Sequence, residues 1–441
     1  MKIAVIGTGY VGLVSAVCFA KIGHQVIGID KIADKISKLQ NNEIPIYEPG
    51  LKEVLQEVVL QKKISFTTDL ALGIKDAKAI FIAVGTPQDE DGSADLSYVL
   101  QACEEIAKFS SESKLIVTKS TVPAKTGEKI KALLKKIRPD LEFLVASNPE
   151  FLREGCALDD FMNPDRIVIG CDDLQSKKIL SEIYNFFPAS KIFSTDVITA
   201  ELIKYASNSF LATKIAFINE MANLCEGLGA NISQLSTAMG QDSRIGEKFL
   251  NVGPGFGGSC FPKDILALIN IANHNNSKLP IVETVVESNK NRIALMVKKI
   301  KRNLGNDLKN KKIALLGLAF KANTDDIRYS PAILIAKELL KENAIIFAHD
   351  YQAINNSQKE LKDFKNISFN QDPLEIVKDC DLIIIATEWQ EYLKLDFEKI
   401  KNLTSCRKIL DLRNIFKAND LEKHGFSYDY IGKKINFSDS N

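Results

Sequence analysis

The feature that most constrains the fold is a glycine-rich turn near the start of the chain. It reads GTGYVG at residues 7–12, and it lies between a β-branched run at residues 2–6 and a helical run at residues 13–22. Glycines in this order let a strand turn tightly into a helix and let backbone N–H groups approach a pyrophosphate. The pattern therefore predicts a parallel α/β sheet that binds a dinucleotide at Gly7, Gly9 and Gly12.

An acidic residue extends this predicted site. Asp30 ends the next predicted strand, QVIGID, close to the spacing of about 20 residues at which the motif places an acid on the ribose hydroxyls. A carboxylate at that position repels a 2′-phosphate, so the sequence favours NAD over NADP. Lys35 lies one helical turn into the following helix and is a candidate for the same ribose or the pyrophosphate, although an isolated lysine is commonly a solvated surface residue.

Two stretches of the chain alternate short apolar runs with helical periodicity, which is typical of sheets covered by helices on both faces. In the first stretch, strands are predicted at residues 2–6, 25–29, 79–84, 114–118, 143–146 and 166–169. The second begins at KKIALLGLAF, which resembles the opening KIAVIGTGY without its further glycines, and predicts strands at residues 344–348, 367–369, 381–386 and 408–411. Between them, residues 197–228 predict one long amphipathic helix.

These patterns predict an α/β fold with two Rossmann-like doubly wound domains, joined by a long central helix and a helical connector. The predicted boundaries are residues 1–195 for the dinucleotide-binding domain, 196–304 for the connector, 305–433 for the second α/β domain and 434–441 for a polar tail.

Composition argues against several kinds of partner. The 57 Lys and Arg residues nearly balance the 56 Asp and Glu residues, so charge favours neither nucleic acid nor an anionic membrane. No apolar run reaches the roughly 18–20 residues of a spanning helix, and glycines interrupt any N-terminal signal-peptide core, which predicts a cytosolic protein. The eight cysteines include no CxxC pair, which argues against a zinc site and a disulfide framework, and no metal is predicted.

A second glycine cluster surrounds one of these cysteines, in GPGFGGSCFPKD at residues 253–264. Pro262 suits the first turn of a following helix, so Cys260 is expected at a helix N-terminus where the dipole and Lys263 favour the thiolate. Asp264 follows Cys260 by one helical turn and can face the thiol or a water beside it. An arbitrary cysteine is usually a buried apolar residue, but these neighbours favour a nucleophile.

A dinucleotide site and a nucleophilic thiol in one chain indicate a particular oxidation. Covalent capture of an aldehyde as a thiohemiacetal prepares it for a second hydride transfer to a thioester, and hydrolysis then releases a carboxylic acid. None of the four histidines, His24, His274, His349 and His424, lies near a motif, so a histidine general base has no obvious candidate.

Several motifs in the same order resemble the UDP-glucose/GDP-mannose dehydrogenase family. They are GTGYVG, VGTPQDEDGSADLSYV, KSTVP, NPEFLREG, ELIKYASNSFLATKIAFINE, GGSCFPKD and GLAFKANTDDIRYSP, and the resemblance runs from Met1 to about Lys433. It implies an NAD-dependent, four-electron oxidation of UDP-glucose at C6 to UDP-glucuronate through a thiohemiacetal and a thioester on Cys260.

The resemblance also implies catalytic roles for five other residues. Lys204 and Asn208, one turn apart on the long helix, would stabilise the developing oxyanion. Asp264 would position or activate a water, and Glu150 is similar to the general base proposed for thioester hydrolysis. Thr121 would hold a catalytic water or the nicotinamide ribose.

Binding residues follow from the same resemblance. For the cofactor it adds Val11, Thr86, Thr121, Glu154, Lys263 and Arg328. For the nucleotide sugar it implies Glu150, Phe151, Leu152, Arg153, Lys204, Asn208, Phe249, Leu250, Asn251, Val252, Gly253, Gly257, Lys321 and Arg413. Arg244 resembles an arginine supplied across a dimer interface, which implies a homodimer through the central helix, although such a helix can equally pack within its own chain.

Three alternatives remain at this point. The same mechanism can act on GDP-mannose or a UDP-N-acetylhexosamine. A two-electron 6-phosphogluconate-type or hydroxyacid dehydrogenase shares the first domain and the connector, but needs no thiol at Cys260. A non-catalytic NAD-binding sensor would not need Cys260, Lys204, Asn208 and Asp264 together.

Overall fold

The computed structural model describes residues 1–89 and 91–434, and the chain forms two compact units. One unit contains Met1–Ser207 and Leu266–Lys278, and the other contains Asn208–Ile265 and residues 279–434. The division into domains at residues 195, 304 and 433 stays a prediction. Residues 435–441 of the predicted tail lie outside the described residues.

The first unit is built on an eight-stranded sheet in the order β3-β2-β1-β4-β5-β6-β7-β8. Its strands are β1 (Lys2–Ile6), β2 (Gln25–Ile29), β3 (Ile64–Thr67), β4 (Ala79–Ile82), β5 (Leu115–Thr118), β6 (Leu144–Ser147), β7 (Ile167–Cys171) and β8 (Ile192–Thr195). In register, Lys2 pairs with Gln25 and Ile3 with Ala79. Only the two edge strands, β3 and β8, were not predicted, because each has just four residues and neither is a continuous apolar run.

Eight helices flank this sheet. They are α1 (Tyr10–Lys21), α2 (Ala33–Gln40), α3 (Leu51–Leu60), α4 (Leu70–Ile74), α5 (Ser97–Phe109), α6 (Thr126–Ile137), α7 (Ala157–Met162) and α8 (Leu174–Ile183). The strand pairs are parallel except that β7 runs antiparallel to β6. Helix α7, in the connection between them, has only six residues.

Helix α9 (Val197–Leu228) has the predicted bounds. Part of its apolar face is exposed in the single chain, since Phe210, Phe217 and Leu224 are 67%, 44% and 53% exposed. The buried face carries small and polar side chains instead, among them Glu201, Lys204, Tyr205, Asn208, Ser209, Ala212, Ala216, Asn219 and Ala222. Within the described ranges no helix is long and apolar enough to cross a membrane.

The second unit contains a six-stranded, fully parallel sheet in the order β11-β10-β9-β12-β13-β14, as expected for a second doubly wound domain. Its strands are β9 (Lys312–Leu316), β10 (Ile345–His349), β11 (Ile367–Phe369), β12 (Leu382–Ile385), β13 (Lys408–Asp411) and β14 (Ser427–Tyr430), of which only β14 was not predicted. The remaining helices are α10 (Ile232–Gln241), α11 (Phe261–His274), α12 (Pro280–Asn303), α13 (Pro331–Lys341), α14 (Ile354–Glu360), α15 (Pro373–Ile376), α16 (Phe397–Leu403) and α17 (Ala418–Glu422), with 3-10 turns at Ala189–Lys191 and Gln390–Lys394.

A buried carboxylate on α9 makes stability in the first unit depend on pH. Glu201 accepts a hydrogen bond from Gly127 N at 2.8 Å, while its Oε2 has no partner among the described residues. Burial raises the pKa of Glu201 to about 8, against the opposing backbone hydrogen bonds. Folding therefore favours the protonated acid, and this contribution to stability is lost as pH rises from the unfolded pKa through about 8.

We expect Glu201→Gln to flatten that pH dependence, because glutamine keeps a carbonyl acceptor for Gly127 and does not ionise. The melting temperature of the variant should rise relative to wild type between pH 5 and pH 8.5, measured by differential scanning fluorimetry. Glu128→Gln, at an exposed position in the first turn of α6, is the matched control. If the difference in melting temperature between Glu201→Gln and wild type stays the same across that pH range, Glu201 is not the source of the pH dependence.

Candidate active site

The glycine turn lies where the strand order of the first sheet reverses, between β1 and β4. Gly7 has φ +95°, and a Cβ there would lie 2.5 Å from the carbonyl oxygen of Ala83. A Cβ at Gly12 would lie 1.9 Å from the oxygen of Gly7, while Gly9 has nothing within 4 Å. The turn thus packs tightly against the sheet and leaves an open side at Gly9, which suits a pyrophosphate at the start of α1.

Asp30 lies at the end of β2 and faces this turn. Its Oδ2 accepts hydrogen bonds from the N–H and the hydroxyl of Thr8, both at 2.9 Å, and the ammonium of Lys35 is 3.6 Å away. Burial opposes ionisation, but the hydrogen bonds from Thr8 and Ile32 outweigh it and lower the pKa of Asp30. The carboxylate is therefore charged at neutral pH, as the preference for NAD requires.

Two further predicted cofactor residues meet at the same edge of the sheet. The hydroxyl of Thr86, after β4, donates to the carbonyl of Thr121, after β5, at 3.0 Å. Because β1, β4, β5 and β6 are parallel, their carboxyl ends bring the segments after them to one edge. Val11 lies in the first turn of α1, and Glu154 lies in the segment after β6.

A buried ion pair links Glu150, two residues after Asn148 on that segment, to the central helix. Lys204 Nζ donates to Glu150 Oε1 at 2.9 Å, and both side chains are about 5% exposed. Glu150 Oε2 accepts from the N–H of Leu152 at 2.6 Å, which fixes the turn. The ring of Phe151 lies 5.5 Å from Lys204 Nζ and 3.8 Å from the guanidinium carbon of Arg166.

In the second unit, the cysteine directly precedes α11, as predicted. Asp264 N–H donates to the Cys260 carbonyl at 2.9 Å, so the first turn is regular, and the hydroxyl of Ser259 lies 3.6 Å from Cys260 Sγ. The Asp264 carboxylate is fully buried and is held from two sides, by Asn208 Nδ2 at 2.7 Å and by Lys263 Nζ at 2.7 Å. Lys204 and Asn208, one turn apart on α9, thus engage different carboxylates.

Predicted nucleotide-sugar residues of the second unit also lie together. Gly253 packs against Arg413, since a Cβ there would lie 3.3 Å from the Arg413 guanidinium. Arg413 donates to the Ala386 carbonyl at 2.9 Å and to the Phe320 carbonyl at 2.6 Å, next to Lys321. Phe249 has a left-handed backbone with φ +67°, a strained conformation for an aromatic residue, and begins the segment Leu250, Asn251, Val252.

The turn after β9 is held differently from the glycine turn of the first sheet. Asp350, at the end of β10, occupies the position that corresponds to Asp30, but it is completely buried. Its carboxylate accepts from the N–H groups of Leu318 and Ala319, at 2.7 and 3.0 Å, in the turn after Gly317. Asp30 accepts from only the first equivalent amide, that of Thr8.

Besides Lys35 and Lys263, three further predicted binding residues, all arginines, pair with a carboxylate close in sequence. Arg244 is on the surface with 87% of its side chain exposed and pairs with Asp242 at 2.5 Å. Arg328 pairs with Asp326 at 2.8 Å, and its carbonyl accepts from Gly258 in the cysteine loop at 2.8 Å. Arg153 pairs with Asp160 at 2.5 Å.

Sequence reasoning missed two buried cations beside these residues. Lys119, after β5, donates to Asn148 Oδ1 at 2.9 Å, and burial lowers its pKa to about 8 despite the nearby Glu150 charge. Arg292 on α12 donates to the Gly253 carbonyl at 3.1 Å, and burial lowers its pKa to about 10. Helical spacing from Val285 and Met296 places Arg292 on the apolar face, a signal that was available in the sequence.

The cysteine loop has no space for a larger residue at Gly257. A Cβ there would lie 2.2 Å from the Tyr329 backbone oxygen, so Gly257→Ala must displace one of the two loops. We expect this strain to lower the free energy of unfolding of the variant by about 1–3 kcal/mol. The unfolding midpoint should then fall by about 2–4 °C for each kcal/mol. Gly227→Ala, in α9 with nothing within 4 Å, is the control and should not lose stability. Equal midpoints in thermal melts would refute the steric argument.

Models of the UDP-glucose/GDP-mannose dehydrogenase family match three consecutive parts of the chain. The NAD binding domain matches residues 1–188, the central domain residues 198–291 and the UDP binding domain residues 314–418.

Similar proteins cover the chain almost completely. UDP-glucose 6-dehydrogenase of Rickettsia bellii (strain RML369-C) is 49% identical over 437 residues, which are 99% of this chain and 100% of the relative. The structure of a UDP-glucose dehydrogenase from Pyrobaculum islandicum is 37% identical with a TM-score of 0.91, and 98% of each chain is covered. The UDP-D-ManNAc dehydrogenase of Pyrococcus horikoshii is 28% identical with a TM-score of 0.85, with 98% of this chain and 99% of that chain covered. The chain is therefore an NAD-using oxidoreductase that belongs to the UDP-glucose/GDP-mannose dehydrogenase family.

Proposed function

We propose that this chain oxidises UDP-glucose at C6 to UDP-glucuronate, with two NAD⁺ reduced for each substrate molecule. The main support for UDP-glucose as the substrate is the full-length similarity to UDP-glucose 6-dehydrogenases at 42–49% identity. The setting of Cys260, directly before a helix and one turn from a fixed carboxylate, supports the covalent route.

The proposed reaction balances as follows. The C6 alcohol loses a hydride and a proton to become an aldehyde, and the Cys260 thiol adds to it as a thiohemiacetal. Loss of a second hydride and proton gives a thioester, and water then cleaves the C–S bond to release the acid and restore the thiol. NAD⁺, when bound, supplies the acceptor for both hydrides. One UDP-glucose, two NAD⁺ and one water thus give one UDP-glucuronate, two NADH and three protons.

Five polar residues have a proposed part in these steps. Lys204 and Asn208 stabilise the oxyanion that develops at C6, for which fixed donors in a buried site are well suited. Glu150 acts as the base that takes a proton from the hydrolytic water. Asp264, which is held by Asn208 and Lys263, orients a water or the thiol, and Thr121 positions a water or the nicotinamide ribose.

The binding residues are proposed on the same basis. Asp30 holds the ribose hydroxyls, and the turn at Gly7, Gly9 and Gly12 holds the pyrophosphate, which the open space around Gly9 supports. On the nucleotide-sugar side, Lys321 and Arg413 supply positive charge for the UDP diphosphate. Arg292 fixes the Gly253 carbonyl and so keeps the segment before it in place.

GDP-mannose and UDP-N-acetylhexosamines are less favoured substrates. The UDP-D-ManNAc dehydrogenase is 28% identical, well below the identity to the UDP-glucose relatives. The sensor alternative loses support because Cys260, Lys204, Asn208 and Asp264 are all present, and the last three are buried in hydrogen-bonded pairs.

We expect purified protein to release two NADH for each UDP-glucose consumed, measured by absorbance at 340 nm with product quantified by chromatography. Cys260→Ser should bind NAD normally but turn over below about a thousandth of the wild-type rate. Cys171→Ser, at a half-buried cysteine on β7, is the matched control. One NADH per substrate would mean an aldehyde product, and near-normal acid formation by Cys260→Ser would remove the covalent mechanism.

We also propose that two copies of the chain form a homodimer through α9. Phe210, Phe217 and Leu224 are exposed at seven-residue spacing on one helix face, together with Leu228, and a second copy of this face would bury them. The exposed Arg244 is proposed to reach the partner subunit's nucleotide-sugar site. A cytosolic location, where both NAD and nucleotide sugars are available, also stays a prediction.

Phe217→Glu should dissociate this dimer, because each interface would then bury two uncompensated carboxylates. Light scattering after size-exclusion chromatography should give twice the 48.9 kDa mass of one chain for wild type and the mass of one chain for the variant. Leu174→Glu, at an apolar residue of α8 that is 86% exposed, serves as the control and should stay dimeric. A monomeric wild type, or a dimeric Phe217→Glu, would rule out this interface.

A further inference from the structure

One buried carboxylate for which the sequence predicted no role, that of Glu48, hydrogen-bonds to two distant segments of the first unit. Glu48 lies in the loop between α2 and α3 and is only 7% exposed. Its Oε1 accepts from the N–H groups of Ala157 and Leu158, at 2.7 and 3.3 Å, and its Oε2 accepts from Gly155 N–H at 2.7 Å. A buried carboxylate with several amide donors is well satisfied, so this contact is specific and not incidental.

The fourth donor to Glu48 comes from the glycine turn. The phenol of Tyr10, the residue between Gly9 and Val11, donates to Glu48 Oε2. The Tyr10 oxygen also accepts from Gly155 N–H at 2.9 Å, so Tyr10, Glu48 and Gly155 form one closed set of contacts. Burial, and then the hydrogen bond and charge of Glu48, raise the pKa of Tyr10, so the phenol keeps its proton and remains a donor.

The segment on the other side carries Glu150. Residues 150–156 are an irregular loop in which Gly155 has φ +78°. Glu150 closes its start by accepting from Leu152, and Asp160 holds its middle through Arg153. Glu48 therefore fixes the end of the same loop, and it is the one of these three carboxylates that also contacts the dinucleotide turn.

From this geometry we infer that Glu48 and Tyr10 are positioning residues that couple occupancy of the dinucleotide turn to the order of the Glu150 loop. The inference rests on the proposed function, because it assigns the two ends of the link to cofactor binding and to thioester hydrolysis. NAD at Gly7–Gly12 fixes the start of α1, Tyr10 there holds Glu48, and Glu48 holds Gly155. Coupling of this kind is reciprocal, so an ordered loop also strengthens NAD binding.

The test uses full-length protein, NAD alone and no sugar nucleotide. Hydrogen–deuterium exchange of peptides spanning residues 150–158 is followed with and without saturating NAD in wild type, Tyr10→Phe and Glu48→Gln. Tyr10→Phe removes one hydroxyl and keeps the ring, so the fold should survive. In wild type, NAD should slow exchange at Gly155 and Ala157 by about fivefold or more, and this effect should be lost in both variants. Tyr98→Phe, at a surface tyrosine on α5, is the control and should keep it.

Kinetics separates this role from simple structural support. We expect Tyr10→Phe to raise the dissociation constant for NAD, to slow thioester hydrolysis and to raise the KM for UDP-glucose, because Phe151–Arg153 lie in the same loop, while the melting temperature stays near wild type. If NAD slows exchange of the Glu150 loop in Tyr10→Phe as much as it does in wild type, the inference is wrong. It is also wrong if the loop loses its protection only under conditions in which the whole protein unfolds. If NAD protects the loop as expected but UDP-glucose is not oxidised, the proposed function fails and the coupling stands.

Discussion

Burying a charge without a partner destabilises a fold by several kcal/mol, and this constraint organises the functional residues of both units. Lys204 is buried in an ion pair with Glu150, and the carboxylate of Asp264 is buried with hydrogen bonds from Asn208 and Lys263. Within each of these two sets, the hydrogen-bonded side chains hold one another in a single geometry. Rigid polar groups in a desolvated setting are what oxyanion stabilisation and water activation need, so packing and chemistry impose the same requirement here.

Parallel sheets decide where such groups can be placed. In the first unit, the segments that carry Thr86, Lys119 and Glu150 leave the carboxyl ends of neighbouring parallel strands, while the glycine turn follows β1 at the point where strand order reverses. The second sheet has a similar turn after β9, but there the buried Asp350 binds two successive amides, whereas Asp30 binds one. One architecture therefore gives two chemically different edges, since the hydrogen-bonding state of a few backbone amides differs.

Helix α9 shows that an amphipathic pattern does not by itself say which face packs within the chain. Several of its large apolar residues, such as Phe210 and Leu224, are exposed, whereas small and polar side chains are buried beside Tyr205 and Ile218. Alanines permit close packing, and the polar side chains find partners on neighbouring segments. An exposed apolar face of this size is a surface for which the proposed homodimer supplies a partner.

The sequence by itself determined the α/β class, the glycine turn with Asp30, the bounds of α9 and the position of Cys260 before a helix, because these depend on local backbone preferences and on spacing along the chain. The edge strands, the antiparallel β7 and the buried face of α9 were decided by tertiary packing, which overrides local periodicity. Pairings such as Glu150 with Lys204 and Glu48 with Gly155 join residues 54 and 107 positions apart. No local pattern encodes such a pair, since only the folded chain brings the two groups within hydrogen-bond distance.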